Sequence, residues 1–212
     1  MKLTVFGATG GTGTEVVKQA LSRGDEVIAV VRDRSRLTVA SNDRLRVVEA
    51  DVMEPSAISP FVESRDAVVS ALGSREGRAP TSVCADGTAS ILKAMENGQS
   101  RRLVVVSANG PFIDDGDGPF IRYVGKPIVQ RILKYGFADF VAMEEKVRSS
   151  DSDWTIVRAA RLTNGRQRGT YRTELDRNVR GGVKVSRADL AEFILRALPD
   201  HTFFHTAVSI GY

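Results

Sequence analysis

Apolar runs of strand length alternate along this chain with longer stretches in which apolar residues recur at helical spacing. Residues 3–6, 27–31, 46–49, 67–70, 103–106 and 155–157 read as strands. Most are nearly continuous in Val, Ile and Leu, as parallel strands covered on both faces must be, because neither face meets water. Residues 14–22, 81–96 and 188–197 read as helices, and two more fall between about 120 and 148. This alternation predicts βαβ units and hence an α/β fold, a single Rossmann-like doubly wound parallel sheet flanked by helices. No repeat or Pro-rich linker divides the 212 residues, so one domain is expected. Residues 1–157 would form its cofactor core, and 158–212 a small region capping the substrate side.

The segment Gly7-Ala8-Thr9-Gly10-Gly11-Thr12-Gly13 lies between the first strand and the first helix. Backbone N–H groups at a helix N-terminus bind phosphate if no side chain intervenes. In such loops one glycine turns the chain, a second admits the phosphate and a third lets helix and strand pack closely. Gly7, Thr9, Gly10, Gly11, Thr12 and Gly13 are therefore candidate pyrophosphate contacts, and the hydroxyl of Thr12 or Thr14 is a possible additional donor.

Nineteen positions after Gly13, at the end of the second strand, stands Arg32. NAD-specific folds commonly place an acid here to bind the ribose hydroxyls. A guanidinium instead matches a phosphate bidentately, so Arg32, aided by Arg34 or Arg36, predicts the 2′-phosphate of NADP and a preference for NADP(H) over NAD(H). Asp33, between two of these arginines, complicates the pattern.

Composition is that of an ordinary globular domain, with 42% hydrophobic and 26% charged residues. The lone cysteine, Cys84, can form no intramolecular disulfide. With no membrane span or secretory signal in view, a cytoplasmic location is the default expectation. The net charge of +4 is unevenly spread. Between Arg158 and Arg187 nine basic residues face two acidic ones, a local +7 that leaves about −3 for the remainder. The excess points to a local anionic ligand rather than nucleic acid, since Tyr171 is the only aromatic residue in the segment.

The opening glycine pattern, Val30-Val31-Arg32-Asp33-Arg34-Ser35-Arg36-Leu37 and Ala50-Asp51-Val52 resemble the atypical short-chain dehydrogenase/reductase-like proteins. That group includes flavin reductases of the biliverdin reductase B type, NADH-flavin reductases and NmrA-like proteins. The likeness continues through Ala71-Leu72-Gly73-Ser74-Arg75, Val104-Val105-Val106-Ser107-Ala108 and Asp153-Trp154-Thr155-Ile156-Val157-Arg158. It implies that Asp51 and Val52 meet the adenine, that Leu72, Gly73 and Arg75 run beside the cofactor, and that Ser107 lies near the reactive ring as the candidate catalytic residue. All these segments follow strand ends, where open α/β sheets bind ligands. The family's substrate pocket carries a histidine in the segment that aligns with residues 158–163, and Arg161 stands there instead. Arg161 and Asn109 are the candidate substrate contacts.

Carbonyl-reducing members of the wider superfamily carry a tyrosine with a lysine four positions later, to protonate the forming alkoxide. The tyrosines here are Tyr123, Tyr135, Tyr171 and Tyr212, and Pro127, Asp139 and Leu175 lie four positions beyond the first three. The expected activity is therefore hydride transfer from NADPH to a small conjugated acceptor, a flavin or quinone, driven mainly by proximity, which can contribute roughly 7–11 kcal/mol. The other class of function open to this sequence is a non-catalytic NADP(H)-binding redox sensor of NmrA-like type. No metal is expected. His201 and His205 lie in a segment that reads as a strand, without a nearby acid or cysteine to complete a ligand set. Asp114, Asp115 and Asp117 lack the terminal Glu of a calcium loop, and residues 109–119 read instead as a mobile lid over the cleft. The oligomeric state is left open.

Overall fold

The computed structural model describes residues 1–74, 79–96 and 98–212. The six expected strands are present as β1 (Lys2–Phe6), β2 (Glu26–Val31), β3 (Leu45–Glu49), β4 (Ala67–Ser70), β5 (Arg102–Ala108) and β6 (Asp153–Ala159). Four more follow or interleave: β7 (Arg161–Thr163), β8 (Arg172–Leu175), β9 (Lys184–Ser186) and β10 (Thr206–Gly211). The main sheet has the order β3-β2-β1-β4-β5-β6-β10-β8. It is parallel throughout except for β8, which runs antiparallel to β10. Strand order reverses at β1, placing a crevice beyond the carboxyl ends of β1 and β4. A separate parallel pair, β7 and β9, lies beyond β6.

The helices are α1 (Gly11–Ser22), α2 (Pro55–Ile58), α3 (Val83–Glu96), α4 (Lys126–Ile132), α5 (Lys134–Arg148) and α6 (Arg187–Ala197). One core cluster joins α1 and α6 to one face of the sheet through Val16, Val17, Leu190, Phe193 and Ile194. The other joins α3 and α5 to the opposite face through Ile91, Met95, Met143 and Val147. Each such aliphatic side chain taken fully out of water contributes about 1.5–3 kcal/mol before entropy is counted. The buried Arg102 ties β5 to the end of α6, donating to the carbonyls of Leu198 at 2.9 Å and Ala197 at 2.8 Å. Burial lowers its guanidinium to about 10, although Asp153 and Asp200 pull in the opposite direction.

Two expectations change. Helix α1 begins at Gly11, three residues before the apolar periodicity sets in, because the glycine loop itself supplies the first turn. Residues 201–205 are not a strand: His201–Phe203 form a 3-10 turn capped by Asp200, and the strand starts at Thr206. The Asp200 side chain accepts from Thr202 N, a local bond that competes with extended backbone.

Candidate functional site: a dinucleotide crevice

The glycine loop has the geometry its spacing requires. Gly7 adopts φ +74°, and a Cβ there would lie 2.3 Å from the carbonyl oxygen of Ala71, at the end of β4. A Cβ on Gly13 would lie 2.2 Å from the Gly7 oxygen, so α1 approaches β1 as closely as backbone allows. Gly10 is the N-cap of α1, makes no side-chain cap, and leaves the first amides of the helix free of a local acceptor. No acid occupies the first turn, so the positive end of the helix dipole remains uncompensated by the helix's own residues. Thr14 does not face this site, since its buried hydroxyl donates to the Ala8 carbonyl at 2.9 Å and braces the loop.

Gly7, Thr9 and Gly10 share a cavity of about 200 Å³ with Arg32, Asp51, Val52, Leu72 and Gly73. The fold thus brings together, at the ends of β1, β2, β3 and β4, most of the residues singled out for the cofactor. Asp51 accepts from the Met53 amide at 3.0 Å, fixing the turn that carries it to the rim. Arg75 lies outside the described residues. Cys84 is buried below, and burial, reinforced by Asp139, pushes its thiol well above the ordinary range, which keeps it protonated. The same Asp139 accepts from the amides of Cys84 at 2.9 Å and Ala85 at 2.8 Å, capping α3 behind Leu72.

Three arginines follow β2, and the structure distinguishes their roles. Arg34 is engaged with β3, its amide donating to Glu49 at 2.8 Å and its guanidinium to the Val47 carbonyl at 2.9 Å. Arg32 lines the cavity, and Arg36 is exposed beside it in the chain. Asp33 accepts from the hydroxyl of Ser35 at 2.6 Å and its amide at 2.9 Å, and these bonds lower its carboxyl below the usual range. Its acceptor capacity is thereby directed to the 3-10 turn Arg34–Arg36.

Ser107, at the end of β5, is buried and donates to Glu144 Oε1 at 2.7 Å. Glu144, on α5, is also bound by Arg158 of β6, with Nη2 to Oε2 at 2.6 Å. The ring of Phe112 covers that guanidinium at 3.5 Å. Arg158 therefore does not contribute a free cation to the basic segment, because its charge is balanced by Glu144. Asn109 is half-buried where the chain leaves β5, its amide bound to the Ala159 carbonyl at 3.0 Å. Arg161 is exposed at the start of β7.

The segment 109–119 is held in place by buried polar contacts. Asn178 donates through its side chain to Asp114 at 2.8 Å and Asp117 at 3.2 Å, and Lys126 pairs with Asp117 at 2.7 Å. Those bonds use Asp114 and Asp117, Asp115 pairs with Arg122 at 3.0 Å, and among the described residues no group of His, Cys, Asp and Glu is arranged to hold a metal.

One contact escaped the sequence. The aliphatic stem of Arg187, at the start of α6, fills the space above Gly11, where a Cβ would meet its Cδ at 2.6 Å. Its guanidinium donates to Asn164 Oδ1 at 2.5 Å. No local pattern announces an approach between residues 11 and 187. It follows from the packing of α6 against α1.

The family model described as NAD(P)H-binding matches residues 7–201 of this chain. An uncharacterized Bacillus subtilis protein, YwnB, is 30% identical over 211 residues, covering 95% of this chain and 94% of the relative. A short-chain dehydrogenase/reductase of Veillonella parvula, solved in complex with NADP, superposes with a TM-score of 0.83 at 20% identity, covering 100% of this chain and 94% of that one. A Streptococcus pneumoniae protein provisionally assigned as an NADH-flavin reductase gives a TM-score of 0.74 at 22% identity, over 100% and 99% of the two chains. These solved structures share the Rossmann-like fold, and the sequence match over residues 7–201 places the chain in the NAD(P)H-binding family.

Proposed function

We propose that this protein is an NADPH-dependent reductase that delivers hydride to a small conjugated acceptor, a flavin or quinone. The supporting observation is what stands beside Ser107. A carbonyl reductase needs a phenol there to protonate an alkoxide, whereas Ser107 faces the Glu144–Arg158 ion pair. The phenols of Tyr171 and Tyr212 are bound to Glu192 and Asp189, and Tyr123 is 73% exposed. A conjugated acceptor needs little help from a positioned acid, because its ring system delocalises the incoming charge.

The residues fit the dinucleotide. The Gly10–Thr12 amides and the Arg187 guanidinium would hold its pyrophosphate, since a cation beside a helix N-terminus is unfavourable unless an anion lies between them. Arg32 and Arg36 would hold the 2′-phosphate, and Asp51 with Val52 the adenosine. Gly73 and Ser107 would flank the nicotinamide, with Ser107 a positioning residue whose hydroxyl is already held by Glu144. Asn109 and Arg161 would border the acceptor. When bound, the dinucleotide supplies a hydride that reduces the acceptor by two electrons, while solvent supplies the accompanying proton.

The test is NADPH oxidation followed by absorbance with FMN, FAD, riboflavin and a simple quinone, each against a blank without protein. Acceptor-dependent oxidation at turnovers per second is expected. Tight NADPH binding without oxidation by any acceptor would replace this proposal with an NADP(H)-binding sensor.

A further inference from the structure

We propose that Arg166 and Arg168 form a seat for the phosphate monoester of the acceptor, so that a phosphorylated flavin is used in preference to its dephosphorylated form. This rests on the reductase function proposed above. Arg166, Gln167, Arg168 and Thr170 line an open hollow in the loop between β7 and β8. Among the described residues, neither guanidinium lies within ion-pair distance of a carboxylate. The ring of Tyr212 lies under Arg168 at 4.9 Å.

The loop is held by backbone rather than by its charges. Asp189, fully buried at the start of α6, accepts from the amides of Arg168 and Gly169 at 2.8 Å each, and also from Ser186 Oγ at 2.9 Å and the Tyr212 hydroxyl. Asp189 thus fixes the main chain, and the side chains of Arg166 and Arg168 are both exposed. Two like charges presented on a fixed loop repel each other, and a dianion bound between them relieves that cost.

Position identifies whose phosphate it is. The Arg32 cavity lies at the ends of β2 and β3, on one side of the glycine loop. The arginine loop follows β6 and β7, on the other side, with β1, β4 and β5 between. It is linked to the glycine loop by Asn164, which accepts from Arg187 above Gly11. The hollow shares no lining residue with the Arg32 cavity and lies across the glycine loop from it, on the side where the nicotinamide half of the dinucleotide would extend. A flavin ring placed there carries its phosphate at the end of a flexible five-carbon chain, which would reach outward to this rim.

FMN and riboflavin, identical except for the phosphate, are titrated against the protein by flavin fluorescence and compared as acceptors in NADPH oxidation. The proposal expects FMN to bind at least tenfold more tightly than riboflavin. The exposed double variant Arg166→Ala/Arg168→Ala should lose that advantage while binding riboflavin unchanged. Tighter binding of FMN without turnover would sink the reductase function and leave the seat standing. Equal binding of the two flavins would overturn the seat even if both were reduced. A variant that raised the KM for NADPH and not for FMN would assign these arginines to the dinucleotide and overturn it as well. Inorganic phosphate binding as tightly as FMN would show a free-anion site and have the same consequence.

Discussion

Glu144 and Arg158 form a buried ion pair, 2.6 Å between Oε2 and Nη2, and Ser107 donates to the other carboxylate oxygen. Removing the carboxylate leaves a buried guanidinium under Phe112 without a counter-charge. Glu144→Ala is expected to cost about 3–5 kcal/mol of stability, read from the urea midpoint. Ser107→Ala removes a hydrogen bond and leaves the ion pair, at about 1–3 kcal/mol. A larger loss for Ser107→Ala than for Glu144→Ala would contradict this order.

Arg32 lines the cavity with no ion pair among the described residues, while Arg34 is held by β3. Arg32→Asp should raise the KM for NADPH by at least tenfold, about 1.4 kcal/mol, and leave NADH unchanged or improved. The comparison is the ratio of kcat/KM for the two dinucleotides, which an uninvolved arginine would not move.

Gly13 meets the Gly7 carbonyl with no room for a methyl group. Gly13→Ala must push α1 away from β1, and overpacking of this kind costs about 1–3 kcal/mol. The same displacement would move the helix amides from the proposed pyrophosphate position. The variant is expected to fold with a lowered Tm and to show no rise in Tm on adding NADPH, whereas the parent shows one.

Asp189 makes the opposite kind of prediction, one that depends on pH. Burial pulls its carboxyl upward, but hydrogen bonds from Tyr212, the Gly169 and Arg168 amides and Ser186 outweigh it, so the folded value lies below the usual 3.8. The folded state then binds fewer protons than the unfolded chain. The stabilisation is complete above pH 3.8 and is lost as pH falls through the folded value. Asp189→Asn should be about 1–3 kcal/mol less stable at neutral pH, and that gap should narrow as pH falls below about 4. Urea titrations at pH 7 and pH 3 measure it.

The apolar strands β1, β2, β4 and β5 were legible because burial on both faces leaves a continuous hydrophobic signature. Strands β7, β8 and β9 were not, because segments such as Arg172–Leu175 and Lys184–Ser186 carry charged residues and are only three or four residues long. Their extended form is imposed by pairing partners. In the site, the glycine loop and Arg32 stood out because each sits at a fixed distance from a strand end. The partners of Ser107 and Gly11 did not, since Glu144 and Arg187 reach them only through helix packing. The +7 segment was visible as charge, but Arg158 and Arg177 are neutralised by Glu144 and Glu174, a distinction that requires the fold.

The place of β10 between β6 and β8 bears on how the molecule is made. Synthesis runs from the N-terminus, and the first six strands of the sheet can assemble in the order in which they emerge. The outer edge of β6, with Ile156 and Val157 fully buried in the finished fold, stays open until residues 206–211 have been made. A nascent chain halted before that point presents an unpaired apolar edge to its neighbours on the polysome. Ribosome stalling or proteolytic clipping ahead of Thr206 should therefore yield inclusion bodies rather than a smaller folded protein.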